Sequence, residues 1–135
     1  SVRPRSGEAA PEEPSARRAA LVVDDEASVR RLAARVLKRG GFDVIEAENG
    51  AEALALLEAQ RDRIGLVVLD VTMPGMSGLE VHAKIREDDP ALPVLLTSGY
   101  SDMTLEAGAD SAHTVFLKKP WRVNELLKEI DRVLG

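Results

Sequence analysis

No cysteine occurs among the 135 residues. That absence removes disulfide scaffolds, thiolate metal sites, iron–sulfur clusters and cysteine nucleophiles together, and it fits a reducing, cytoplasmic compartment. Aromatic side chains are almost as scarce: Phe42, Tyr100, Phe116 and Trp121 are the whole set. Binding to single-stranded nucleic acid by base stacking is therefore not expected. The net charge is −5, an acidic balance that argues against the nonspecific displacement of counterions from phosphates, so direct nucleic-acid contact is not expected either. No apolar run approaches the roughly 20 residues of a membrane span, and the N-terminus does not lead into the apolar segment of a secretion signal.

What remains is one domain's worth of chain with enough aliphatic content for a core. Residues 1–18, SVRPRSGEAAPEEPSARR, mix prolines and both charges with little apolar surface, and read as a disordered linker before a domain at 19–135. The first residue is Ser, which suggests a piece of a longer protein. From Ala19 onward short aliphatic runs alternate with amphipathic stretches. The runs are AALVV (19–23), FDVIEA (42–47), IGLVVL (64–69), LPVLLT (92–97) and HTVFL (113–117). They are nearly continuous rather than alternating, the pattern of strands buried on both faces of a parallel sheet.

Helices fill the intervals. Val29, Leu32, Ala33, Val36 and Leu37 recur at helical spacing before Gly40-Gly41, where the helix ends. Asn49 and Ser77 stand where helix caps belong, ahead of stretches reaching Glu58 and Arg86. Val123, Leu126, Leu127, Ile130, Val133 and Leu134 form the strongest apolar stripe, on a helix that reads as a core or a docking helix, core being the favoured reading. Between the last two strands, SDMTLEAGADSA holds only a short helical pattern at Thr104–Ala107, so the fourth helix is expected to be short or mobile. Five strands alternating with helices predict a doubly wound, right-handed α/β domain.

Ligands of such sheets bind beyond the carboxyl ends of the strands, where strand order reverses. Asp24, Asp25 and Glu26 follow the first strand, Asp70 ends the third, Thr97 and Ser98 the fourth, and Lys118, Lys119 and Pro120 the fifth. If the first and third strands are neighbours, three aspartates converge and must be neutralised, either by shifted protonation or by a cation. Hard oxygen ligands in that number suit Mg²⁺. A metal, an attacking carboxylate, a hydroxyl and a lysine are the parts that phosphoryl transfer requires.

With those residues placed, LVVDDE (21–26), LDVTMPGMSGLE (69–80), PVLLTSGY (93–100) and FLKKP (116–120) resemble, in order and spacing, the receiver (response-regulator, CheY-like) domain of two-component phosphorelay signalling. The resemblance implies a flavodoxin-like (βα)5 fold with strand order 2-1-3-4-5. It implies Asp70 as the phosphoacceptor toward a histidine kinase or a histidine phosphotransfer protein. Asp25 would bind Mg²⁺ directly, Asp24 mostly through water, and Thr72 through its backbone carbonyl. Ser98 would be the switch hydroxyl, Lys119 the phosphoryl partner with a cis bond to Pro120, and Phe116 the aromatic switch residue. Met73-Pro74-Gly75 and Gly78 would shape the loop beside the acceptor. The expected state before phosphorylation is a monomer, and two sources stand open, the C-terminal receiver of a hybrid histidine kinase, which is the favoured one, and a stand-alone regulator.

Two other functions stand beside this one. A receiver-like fold can serve as an unphosphorylated docking module. Asp70-Val71-Thr72 also resembles the nucleophile loop of haloacid-dehalogenase phosphatases, but Thr72 occupies the position of that motif's second aspartate. His82 and His113 lack ligand partners at useful spacing and read as structural or solvated, and Trp121 as packing. Phe116 stands where many receivers carry tyrosine, so its coupling to Ser98 would be steric.

Overall fold

The strands form where the aliphatic runs lie. A computed structural model describes residues 18–99 and 113–134. Strands β1 (Ala19–Val23), β2 (Asp43–Ala47), β3 (Ile64–Asp70), β4 (Val94–Ser98) and β5 (Thr114–Lys118) make one parallel sheet in the order β2-β1-β3-β4-β5. Helices α1 (Ala27–Arg39), α2 (Gly50–Ala59), α3 (Gly78–Asp88) and α4 (Val123–Leu134) complete the described elements. The expected short helix at Thr104–Ala107, Tyr100 and residues 1–17 of the expected linker fall outside the described residues. Arg18, counted with the linker, already joins the sheet: its carbonyl accepts the Asp43 N–H at 3.0 Å.

Side chains alternate across each strand, so the sheet builds two cores. On one face Leu21, Val67, Leu69 and Leu96 pack with Ala53 and Leu57 of α2 and Val81 and Ile85 of α3. On the other, Val22, Leu66 and Leu95 pack with Leu37 of α1 and Leu126 and Ile130 of α4. Burial on both faces holds for β1, β3 and β4, but not for β2 and β5. These two end the strand order, and an edge strand keeps one flank toward solvent.

The helix ends follow their sequence signals. Asn49 Oδ1 accepts the Glu52 N–H at 2.8 Å. Ser77 and Glu80 form a reciprocal capping box at the start of α3. Past α1, the left-handed residue is Gly41, with φ 99°. Two apolar stripes are narrower or rotated relative to the sequence pattern. In α4 only Leu126, Ile130 and Val133 are buried, while Val123, Leu127 and Leu134 are exposed because the stripe is wider than the sheet face it covers. In α1, Leu32 is exposed and the buried positions include Arg30, Ala33, Ala34 and Leu37. That i, i+3, i+4, i+7 stripe carries an arginine at its head.

Candidate functional site

Register alone brings the acids together. Val23 pairs with Leu69, so Asp24 and Asp70 are the next residues up from adjacent strands. Asp70 pairs with Thr97, and Ser98 with Lys118, so the ends of β3, β4 and β5 meet the same pocket rim. Each of Asp24, Asp25 and Asp70 offers a carboxylate oxygen within 4.8 Å of the others'. Asp24 and Asp70 are buried and Asp25 is exposed.

Lys119 closes the far side. Its Nζ lies 3.0 Å from Asp24 Oδ2 and 3.4 Å from Asp70 Oδ2. The Lys119 N–H donates to the Ser98 carbonyl at 2.8 Å, and the Lys119–Pro120 bond is cis. Lys118 points to solvent, so the lysine beside the proline is the one in the pocket. Backbone donors hold the other carboxylate oxygens: Glu26 N–H to Asp24 Oδ1 at 2.9 Å, and Thr72 N–H to Asp70 Oδ1 at 3.2 Å.

Burial pushes the Asp70 carboxyl up to about 6, with the Asp24 charge adding to it and Lys119 and the Thr72 N–H opposing. Burial also works against the Lys119 charge. The hydrogen bond and charge of Asp24, with those of Asp70, outweigh it and hold the ammonium above its usual range. Two carboxylates at this spacing repel by about 3 kcal/mol at an effective dielectric near 20. Three carboxylates against one ammonium leave two negative charges in the cluster. A divalent cation with oxygen preference matches both that charge and that donor set.

Ser98 and Phe116 sit differently. Strand alternation continues Asp24, Asp70 and Lys119 from the face of Val22, Val68 and Leu117, while Ser98 and Phe116 continue the face of Leu96. Ser98 is buried, and Phe116 is half-buried against the core beneath α2 and α3. Thr72 is exposed at the rim. His82 is buried with Nε2 2.9 Å from Thr114 Oγ1, a structural pairing at the opposite end of β5. Trp121 packs against the core under α1 and α4.

Two contributors escape pattern reading. Gly78 was expected to shape the loop, but the reason is only visible in space: a Cβ there would lie 2.1 Å from the Asp70 carbonyl oxygen. Its N–H donates to the Val71 carbonyl at 2.8 Å, pressing the start of α3 against the acceptor strand. Arg30 is the second. A charge at a buried helix position was its sequence signal, hidden by the adjacent Arg31.

Fold and site together define a doubly wound α/β domain with a lysine-bridged acidic pocket at its switch point. The chain belongs to the response regulator receiver domain family, which matches residues 20–131. It is 41% identical over 115 residues to the response regulator MprA of Mycolicibacterium vanbaalenii, covering 84% of this chain and 49% of that protein. The response regulator TrrA of Thermotoga maritima, solved in complex with Mg²⁺ and BeF, superposes with a TM-score of 0.76 at 33% identity, covering 86% of this chain and 98% of that one. The receiver domain of the hybrid histidine kinase CckA superposes with a TM-score of 0.73 at 34% identity, covering 87% and 99%. The chain spans between a quarter and a half of the length of several curated relatives it matches. Among the described residues, no helix is long and apolar enough to cross a membrane.

Proposed function

We propose that Asp70 is the phosphoacceptor and that Asp24 and Asp25 hold Mg²⁺ beside it, with the Thr72 carbonyl as a further ligand. The observation that carries this reading is the Lys119 ammonium spanning the Asp24 and Asp70 carboxylates at the carboxyl ends of three strands. The donor is a phosphohistidine on a histidine kinase or histidine phosphotransfer protein. An ionised Asp70 oxygen attacks phosphorus, the P–N bond breaks, and the imidazole leaves with a proton from solvent. Bound Mg²⁺ supplies charge neutralisation for the carboxylates and the phosphoryl oxygens.

Lys119 then exchanges its contact with the Asp70 carboxylate for one with the phosphoryl group. The Ser98 hydroxyl turns toward the new anion, and Phe116 moves into the space this opens, biasing a two-state equilibrium of the domain. Hydrolysis of the acyl phosphate is slow, so the domain works as a switch rather than a turnover enzyme. The exposed side of α1 supports a protein partner. Arg31, Arg35, Lys38 and Arg39 project there, and Leu32, Val123 and Leu127 line a groove of about 370 Å³ between α1 and α4. That surface fits an acidic amphipathic helix. The setting is cytoplasmic, as the receiver of a hybrid kinase.

Acetyl phosphate with Mg²⁺ should label the wild-type chain with one acid-stable, base-labile phosphoryl group, and Asp70→Asn should take up none. Label retained by Asp70→Asn would remove the assignment. Steady turnover of a small phosphate ester would favour the phosphatase function instead.

A further inference from the structure

We propose that Arg30 is a positioning residue for the acidic cluster, clamping the Asp24–Glu26 turn into the geometry that takes a divalent cation. The inference rests on the reading of Asp24, Asp25 and Asp70 as a metal site. Arg30 lies on the buried stripe of α1 among Ala33, Ala34 and Leu37, with 8% of its surface exposed. A guanidinium taken out of water costs several kcal/mol unless its donors are met, so its partners locate its role.

Those partners surround the turn. Nη1 donates to the Asp24 carbonyl at 2.9 Å, and Nε donates to Glu46 Oε1, also at 2.9 Å. Glu46 lies on β2, whose next residue, Ala47, accepts the Asp24 N–H at 3.2 Å. The Arg30 backbone N–H donates to the Glu26 carbonyl at 3.0 Å, and the Glu26 N–H donates to Asp24 Oδ1 at 2.9 Å. These bonds form a closed ring: Asp24 carboxylate, Glu26 peptide, Arg30 and back to the Asp24 carbonyl. Asp25 sits at the apex of that ring, exposed toward the pocket mouth. Glu26, at the N-cap position of α1, makes no side-chain cap bond, so the arginine tethers the turn where a cap would ordinarily do so. Glu46 in turn orients the guanidinium and cancels its charge. The clamp thereby sets geometry without weakening the pocket's pull on a cation.

The test keeps charge constant, because removing Arg30 alone would leave Glu46 unbalanced and tighten cation binding by itself. The full chain carrying Arg30→Gln with Glu46→Gln is titrated with Mg²⁺ by calorimetry, and its urea stability is measured alongside. The expected result is an affinity weaker by about tenfold, the scale on which partners behind metal ligands act. An NMR perturbation centred on the Asp24–Glu26 amides should accompany it. A purely structural role would lower the urea midpoint and leave the Mg²⁺ affinity of the folded fraction alone. If the double variant does not fold, Arg30→Lys replaces it: the charge stays, but one ammonium cannot hold both acceptors in the same fork, and the affinity should fall by a smaller factor. Binding within about twofold of wild type in the folded variant overturns the clamp while leaving the metal site standing. Failure of the wild type to bind Mg²⁺ overturns the metal reading, and the clamp with it.

Discussion

Asp70 is held at a cost. Its carboxyl is raised from 3.8 to about 6 by burial and by Asp24, so the folded chain holds that proton more tightly than the unfolded chain does. The stabilising contribution of that proton is fully present below pH 3.8 and is lost as the pH rises through about 6. At pH 7 without metal, Asp70→Asn should therefore be more stable than wild type, by about 1–3 kcal/mol from a shift of this size. The difference should close toward pH 4 in urea unfolding measured across pH. A wild type equal to or more stable than the variant at pH 7 would show that Lys119 already compensates the buried charge fully. The same residue that destabilises the resting domain is the one with chemistry to perform, the usual relation of strain to function.

At the scale of elements, α3 and β3 meet through Gly78. The start of the helix lies so close to the Asp70 carbonyl that no side chain fits between them. Gly78→Ala should cost about 2 kcal/mol or more, since backbone stands in the way and must move. It should also slow acetyl phosphate labelling by displacing Asp70. Gly75 provides the contrast: its φ is 78°, but a Cβ there meets nothing within 4 Å. Gly75→Ala should cost only about 1 kcal/mol of backbone strain and leave labelling intact. Thermal or urea unfolding of the pair separates close approach from conformation. Equal losses would count against the close approach at Gly78, whose φ is not positive. Caps and helix ends were readable in advance, because Asn49 and Ser77 act within four residues of their targets. Gly78 was readable as a loop residue but not as a contact, since Asp70 reaches it only after β3 and α3 pack.

For the whole molecule, the pocket couples stability to divalent cations. Mg²⁺ at ten times its dissociation constant should stabilise the domain by about 1.4 kcal/mol, raising Tm by several degrees. Asp25→Asn should abolish most of that gain without lowering the metal-free Tm, because Asp25 is exposed and its charge repels those of Asp24 and Asp70. A Tm indifferent to Mg²⁺ would count against the metal site. The two helical layers also divide labour. The layer of α2 and α3 carries Phe116 and Ser98 on its sheet face, while the layer of α1 and α4 carries Asp24, Asp70 and Lys119 above it. Ser98, at the rim where the ends of β3, β4 and β5 meet, is the residue of that face nearest the acids.

The chain's lack of cysteine and of long apolar runs bounded its chemistry from the first, and local order decided much of the rest. Five aliphatic runs, the helix signals between them and the acids at strand ends were all legible because each depends on neighbours within a few residues. Tertiary structure alone decided that Leu32, Val123, Leu127 and Leu134 face solvent, since the width of a buried stripe depends on what packs against it. It alone turned Arg30 inward to Asp24 and Glu46, and pressed Gly78 against Asp70. Those contacts join residues from separate elements, and a one-dimensional pattern carries periodicity but not the distances that packing creates.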